Sequence, residues 1–269
     1  MNRDLLDVIA YLPPPLLTHL RVVIAQEHQL IAVDGWDELE AAIRRKPADV
    51  AVLDPTAPGR IRVAEAVLLR QRYPSVQVVI YTYLTPSAMR MVVELARHGL
   101  EHVVLHRFDD DPRRFAELLG QLPGHALGEL LLDRLDGALE KTAAKVSGAV
   151  RRMLRSPRQY SAVDDLAAGA GMTRRQLYRV LEGAGFTSPR LLVQAARLVQ
   201  AFAFLRDPGR LLEDVSAKLG YSEPRVLNRV MQEMVGSRPL DVRETMGPEE
   251  FVERIATRLF APTSELDDA

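Results

Sequence analysis

The chain of 269 residues is 47% apolar and 26% charged, the balance of a globular protein with enough sequence for one large domain or two ordinary ones. Its 35 basic and 36 acidic side chains leave a net charge of -1, which excludes a uniformly basic, histone-like protein. Cysteine is absent, so disulfides, thiol nucleophiles and thiolate metal sites are excluded as well. No apolar run approaches the roughly 18 residues of a membrane span. The opening Met1-Asn2-Arg3-Asp4 has no signal-peptide pattern, so a soluble, cytoplasmic chain is expected.

Along residues 1–122, short apolar runs alternate with helical patterns. Strands are predicted at Leu5–Tyr11, Gln29–Val33, Asp49–Leu53, Val76–Tyr81 and His102–Leu105. Each is short and rich in Val, Ile or Leu, as strands buried on both faces should be. Helices are predicted at Leu16–Ala25, Trp36–Arg45, Val63–Arg72, Ser87–His98 and Arg113–Leu122. Five β-α units in series predict a doubly wound parallel sheet, with any site at the carboxyl ends of the strands. The segment has no glycine-rich phosphate loop, no GxSxG elbow and no HExxH pair, and its histidines show no metal-ligand spacing. No enzyme activity, no cofactor and no metal site are therefore expected.

This half resembles the receiver domain of response regulators. Leu53-Asp54 with the following Ala57-Pro58-Gly59 matches the phosphoacceptor aspartate and its loop, and Thr82 matches the hydroxyl residue that responds to phosphorylation. The resemblance implies a flavodoxin-like sheet. It also implies an acidic pair after the first strand, to hold Mg2+ through oxygen ligands. Here that position reads Tyr11-Leu12-Pro13-Pro14-Pro15, and the lysine expected after the fifth strand is replaced by His106-Arg107. Asp54 and Thr82 therefore read as a vestigial phosphoacceptor site, with Asp54 capping the next loop. A protein partner for this domain is a further possibility.

A connecting helix is expected over residues 123–140, running on without proline to Leu154. Its apolar stripe includes Leu127, Leu131, Leu135, Leu139, Val146, Val150 and Met153, at spacings of three and four. That stripe predicts a homodimer organised in part by this helix, the alternative being that it packs on its own chain, particularly from Val146 onward.

Charge is distributed unevenly. Residues 1–140 carry 15 basic and 20 acidic side chains, residues 141–245 carry 18 and 10, and residues 246–269 carry 2 and 6. A basic block thus lies between acidic neighbours, as in a polyanion-binding module fused to other domains. Within it, Ser161 can cap a short helix carrying Asp164 and Asp165, and Gly171 permits the turn that follows. Thr173 caps the next helix, with Leu177, Val180 and Leu181 inward and Arg174, Arg175, Gln176, Tyr178 and Arg179 outward. That is a helix-turn-helix with a recognition helix. About fifty residues later the pattern recurs, with Gly220 at the turn, Pro224 opening the second helix, and Arg225, Asn228 and Arg229 outward. A long helix from Ser188-Pro189 to Leu205 joins the two.

Two such units on one linker helix resemble the DNA-binding domain of AraC-family transcription regulators over residues 141–245. Leu177-Tyr178-Arg179, Gly185-Phe186-Thr187-Ser188-Pro189, Leu219-Gly220-Tyr221-Ser222 and Gly236-Ser237-Arg238-Pro239 with Arg243 carry the resemblance. It implies two recognition helices entering successive major grooves of double-stranded DNA, with Arg175, Arg179, Arg225 and Arg229 suited to guanine and Asn228 to adenine. The predicted fold class is α/β plus all-α: a doubly wound, receiver-like sheet (1–122), the connecting helix (123–140), the tandem helix-turn-helix domain (141–245) and an acidic C-terminal helix and tail (246–269). The predicted function is a sequence-specific transcription regulator with a phosphorylation-independent receiver-like domain. The alternatives are a phosphorylation-controlled response regulator, or a protein-interaction adaptor whose DNA surface has decayed.

Overall fold

The computed structural model describes residues 6–24, 28–56, 63–121 and 126–260. The predicted element ends Leu5, Ala25 and Leu122, the loop Ala57-Pro58-Gly59, the first residues of the connecting helix and the acidic tail beyond residue 260 lie outside the described residues. The chain forms two units. The first holds residues 1–122 and the short stretch 206–210, the second residues 123–205 and 211–269.

In the first unit, strands and helices alternate as the apolar runs require. The order is β1 (Asp7–Tyr11), α1 (Pro14–Ile24), β2 (Gln29–Ala32), α2 (Trp36–Arg45), β3 (Val50–Leu53), α3 (Val63–Arg72), β4 (Gln77–Thr82), α4 (Pro86–Arg97), β5 (Val103–Leu105) and α5 (Pro112–Gln121). All pairings are parallel, in the order β2-β1-β3-β4-β5. Because side chains alternate along a strand, each strand feeds two cores. Ile9, Leu53 and Ile80 pack with Leu39, Leu69 and Leu95 of α2, α3 and α4 on one face. Val8, Val52, Tyr81 and Val104 pack with Leu16 and Leu20 of α1 and Phe115 of α5 on the other. The order reverses between β1 and β3, so the carboxyl ends of these strands flank the crevice where doubly wound sheets place their sites. Tyr11 and Asp54 lie there.

The second unit is helical: α6 (Ala126–Leu139), α7 (Ala144–Arg155), α8 (Val163–Gly169), α9 (Arg174–Gly183), α10 (Pro189–Arg206), α11 (Leu212–Lys218), α12 (Pro224–Val235), α13 (Pro239–Thr245) and α14 (Pro248–Phe260). They share one core, to which α10 contributes Leu192, Leu198, Val199 and Phe204. No described helix is long and apolar enough to cross a membrane.

One expectation is corrected here. The predicted single helix from 126 to 154 is a hairpin. α6 ends where the Thr142 hydroxyl donates to the Leu139 carbonyl at 2.7 Å, and Ala143 turns to extended backbone before α7 begins. A threonine hydroxyl that satisfies a terminal carbonyl offers the chain an exit from the helix. The two helices then run back along each other. Arg151 reaches Asp136 at 2.5 Å and Arg155 reaches Glu129 at 2.8 Å, while a side chain at Gly128 would come within 3.0 Å of the Leu154 carbonyl oxygen. Leu131, Leu135, Val146, Val150 and Met153 are all fully buried in the core of this unit. The stripe predicted to join two chains is consumed within one. The C-terminal α14 packs on α6 and α12 and is part of the same core.

Candidate nucleic-acid interface and strand-end site

The first helix-turn-helix is α8, a turn and α9. Its opening differs from expectation: the N-cap is Ala162, not Ser161. The Asp165 carboxylate reaches back instead, accepting from the backbone N–H of Ser161 and Ala162 and from the Ser161 hydroxyl, at 2.8–2.9 Å. Partial burial opposes ionisation of Asp165, but these donors outweigh it and hold the carboxyl below its ordinary range. The turn requires Gly171, whose φ of +63° lies in the left-handed region. Thr173 then caps α9 in a reciprocal box. Its hydroxyl accepts from Gln176 N–H at 3.3 Å, and the Gln176 side-chain oxygen accepts from Thr173 N–H at 2.9 Å.

That box changes the inventory of the recognition helix. Gln176, predicted to face DNA, has its side-chain oxygen turned back onto Thr173, at 3.0 Å from the hydroxyl. Leu177 and Leu181 are buried as predicted, and Tyr178 is half-buried. Arg174 is exposed but engaged, lying 5.7 Å from the centre of the Tyr178 ring and 3.8 Å from Asp164. Arg175 and Arg179 are exposed, and among the described residues neither has an ion pair.

The second helix-turn-helix is α11, a turn at Gly220 (φ +71°) and α12, with Pro224 in the first turn of the helix. Leu227, Val230 and Met231 are buried, and Val226 is half-buried against the same core. Of the three residues predicted outward, Arg229 is exposed and has no ion pair among the described residues, whereas Arg225 donates through Nε to Glu223. Asn228 departs from the prediction. It is half-buried, and its side-chain oxygen is shut from solvent without a hydrogen-bond partner among the described residues.

Two arginines that motif reading passed over, or left without a role, hold the units to the linker helix. Arg197 of α10 donates to the Ser161 carbonyl at 2.9 Å and lies 5.6 Å from the centre of the Tyr221 ring, so one side chain touches both helix-turn-helix units. Burial pushes the Tyr221 phenol up to about 12 against the opposing charge of Arg197. Arg243, part of the closing signature, donates to the Leu205 carbonyl at 2.7 Å, where a cation meets the negative end of α10.

In the first unit, Asp54 and Thr82 come together as the resemblance implied. Asp54 Oδ1 accepts from Thr56 N–H at 2.9 Å, the Thr56 hydroxyl at 2.9 Å and the Thr82 hydroxyl at 2.8 Å. Asp54 is fully buried, and among the described residues its Oδ2 has no hydrogen-bond partner. The i to i+2 bond to Thr56 is the loop-capping turn that the sequence suggested.

Residues 166–245 match the family described as a helix-turn-helix domain. This segment is a helix-turn-helix domain of the AraC type. It joins a receiver-like α/β domain, so at the coarse level the chain is a DNA-binding regulator carrying a receiver-like domain. A comparison with curated proteins gives no match. Among solved structures, full-length FixJ from B. japonicum aligns at 14% identity and a TM-score of 0.41, covering 84% of this chain and 96% of that one. RcsB from Salmonella enterica serovar Typhimurium, bound to the promoter rprA with a phosphomimetic, aligns at 13% identity and a TM-score of 0.36, over 82% and 96%. A second structure of the Salmonella typhimurium RcsB response regulator aligns at 17% identity and 0.37, over 67% and 91%. At these scores the alignments carry no weight for function.

Proposed function

We propose that this chain is a sequence-specific transcription regulator that reads double-stranded DNA with α9 and α12 and works without phosphorylation of its receiver-like domain. The observation that carries the DNA reading is the placement of Arg175, Arg179 and Arg229. Each stands exposed on the outer side of a helix whose inner side is buried, without an ion pair among the described residues. A guanidinium held in this way keeps its fork of donors for guanine O6 and N7. Arg174 and Arg225 are spoken for by Asp164 with Tyr178 and by Glu223, so they serve better as phosphate contacts that set register. Tyr178, half-buried beside Arg174, positions that arginine.

Three features support phosphorylation independence. Asp54 is buried, one of its oxygens already takes three donors, and no carboxylate lies at residues 11–15 to share Mg2+ with it. A buried carboxylate without a neighbouring acid pair is poorly suited to take up a phosphoryl group through Mg2+. A homodimer remains part of the reading, because paired recognition sites favour two-fold proteins; its contact surface is not the buried stripe of α6. Selection of bound fragments from random and genomic DNA tests the whole reading. Enrichment of a defined motif is expected, and recovery of unenriched DNA with a purely salt-controlled affinity would favour the decayed adaptor instead.

A further inference from the structure

The first unit gathers a second group of chemistry-bearing side chains, on the α1/α5 face of the sheet. His19 comes from α1, His106 from the residue after β5, and Asp110 from the loop that leads into α5. Spacing gave no hint of them, since His19 is 91 positions from Asp110. Asp110 Oδ2 lies 3.1 Å from His19 Nε2 and 2.6 Å from His106 Nδ1. All three ligand atoms lie within 4.8 Å of one another. The Asp110 and His106 side chains are 7% and 14% exposed, while that of His19 is 38% exposed and opens the group to solvent.

The surroundings hold this geometry in place. Arg107 takes a left-handed φ of +68°, unusual for a residue with a side chain, and its N–H donates to Asp110 Oδ1 at 2.9 Å. The loop is thereby folded back so that Oδ2 faces the imidazoles. The Tyr81 hydroxyl donates to the same Oδ2 at 2.6 Å from the core side. Tyr81 and Tyr83 also meet the His106 ring edge to face, at 6.0 and 5.2 Å between centres, which fixes its orientation. The Tyr81 hydroxyl also lies 3.0 Å from His106 Nδ1, so the phenol, the carboxylate and the imidazoles form one polar cluster. If the two imidazoles turn lone pairs toward a shared centre, Tyr81 remains as the donor that orients the carboxylate.

We propose that His19, His106 and Asp110 form a binding site for a divalent late transition-metal ion, zinc in the first instance. Two imidazoles and a carboxylate, without thiolate, suit Zn2+ and its neighbours rather than Mg2+, which prefers oxygen ligands and retains its water. Ligand bonds of about 2.0–2.1 Å at tetrahedral angles set donor atoms about 3.3 Å apart. The His19–Asp110 separation is already close to that, the His106–Asp110 pair needs to open by several tenths of an ångström, and the two imidazole donors, within 4.8 Å of each other, must settle to the same spacing. Three protein ligands leave one position for water or for a ligand from a partner. The ion would tie α1 to the β5–α5 loop. This site is distinct from Asp54, since Tyr81 and Thr82 are adjacent on β4 and point to opposite faces of the sheet.

Tag-free full-length protein, stripped with a chelator, is titrated with Zn2+ by calorimetry and with Co2+ by its visible absorption, with Mg2+ as a control. One equivalent of Zn2+ and of Co2+ should bind, Zn2+ should raise the thermal midpoint, and Mg2+ should do neither. His19→Ala lies at the open side and should fold normally, yet weaken Zn2+ binding at least about tenfold. Asp110→Asn should abolish binding, and Tyr81→Phe should weaken it about 10–100-fold by releasing the carboxylate. His98→Ala should change nothing. Failure of the wild-type protein to bind either ion overturns the proposal, as does full retention of binding by folded His19→Ala. If Asp110→Asn does not fold, His19→Ala and Tyr81→Phe decide between these outcomes.

Discussion

Leu135→Ala separates the two roles open to the α6 stripe. Leu135 is fully buried within the helical unit. The substitution removes three carbons, worth about 2.4 kcal/mol at about 0.8 kcal/mol for each buried methylene. A cavity is added because the neighbours of a closed site relax only in part, which brings the expected loss to about 3–4 kcal/mol. With a urea slope of about 2 kcal/mol per molar, that loss moves the unfolding midpoint of the helical unit down by about 1.5–2 M. Far-UV circular dichroism in urea follows it, run at two protein concentrations about a hundredfold apart, since a dimer contact would make the shift depend on concentration. The shift should be the same at both. A variant that keeps its midpoint and sediments as a monomer where the wild type is a dimer would refute the packing argument and restore the stripe as an association surface.

Four further outcomes follow from the sites. Arg179→Ala should cost about 1–3 kcal/mol on a selected DNA site and relax base preference there, whereas Arg225→Ala should weaken all sequences alike and lower the salt slope by about one; fluorescence-anisotropy titration over a range of salt separates the two. Incubation with acetyl phosphate and Mg2+ should leave the intact mass unchanged, and a stoichiometric adduct at Asp54 would overturn phosphorylation independence. Thr173→Ala removes the hydroxyl from the α9 capping box and should cost about 1 kcal/mol in thermal or urea unfolding, with a fully stable variant counting against the cap. The Asp165 carboxyl is depressed in the folded protein, so its stabilisation is complete above the ordinary carboxylate range near about 4 and is lost as pH falls through the lower folded value; Asp165→Asn should flatten this acid limb, and an unchanged limb would show that the capping bonds carry no such linkage.

The sheet domain was legible because parallel strands covered on both faces become unbroken apolar runs, and the glycine and proline breaks between them left little freedom in the assignment. The parallel order also followed from the β-α alternation. The α6–α7 hairpin was not legible, because a period of three to four reports which face is apolar but not whether the chain reverses between one turn and the next. Leu139 and Val146 keep that period across the break. Asn228 shows the limit of face assignment at a single position. At about 100° per residue it stands about 100° from the centre of the apolar face of α12, while Arg225 and Arg229 stand about 160° from it. The first lies on the margin, and packing decided its side. The histidine cluster could not be found by spacing, because its members meet only when α1, β5 and the following loop come together.

The division of the outward arginines bears on how the two helix-turn-helix units share the work. In the proposed mode, a guanidinium already committed to a carboxylate must give up that partner before it can grip a base edge, and the exchange returns little of the contact as specificity. Arg225 beside Glu223 is in that position, and Asn228 is withdrawn from the surface. The second helix is left with Arg229 as its free fork, whereas the first offers Arg175 and Arg179 from a helix start fixed by the Thr173–Gln176 box. Base discrimination should therefore concentrate in the groove that receives α9, with α12 contributing chiefly affinity. Arg197, touching Ser161 on one side and Tyr221 on the other, ties the segment before α8 to the turn before α12 and so relates the two helix-turn-helix units. That relation matters most when one helix selects and the other holds, because spacing between the two contacts then becomes part of what is recognised.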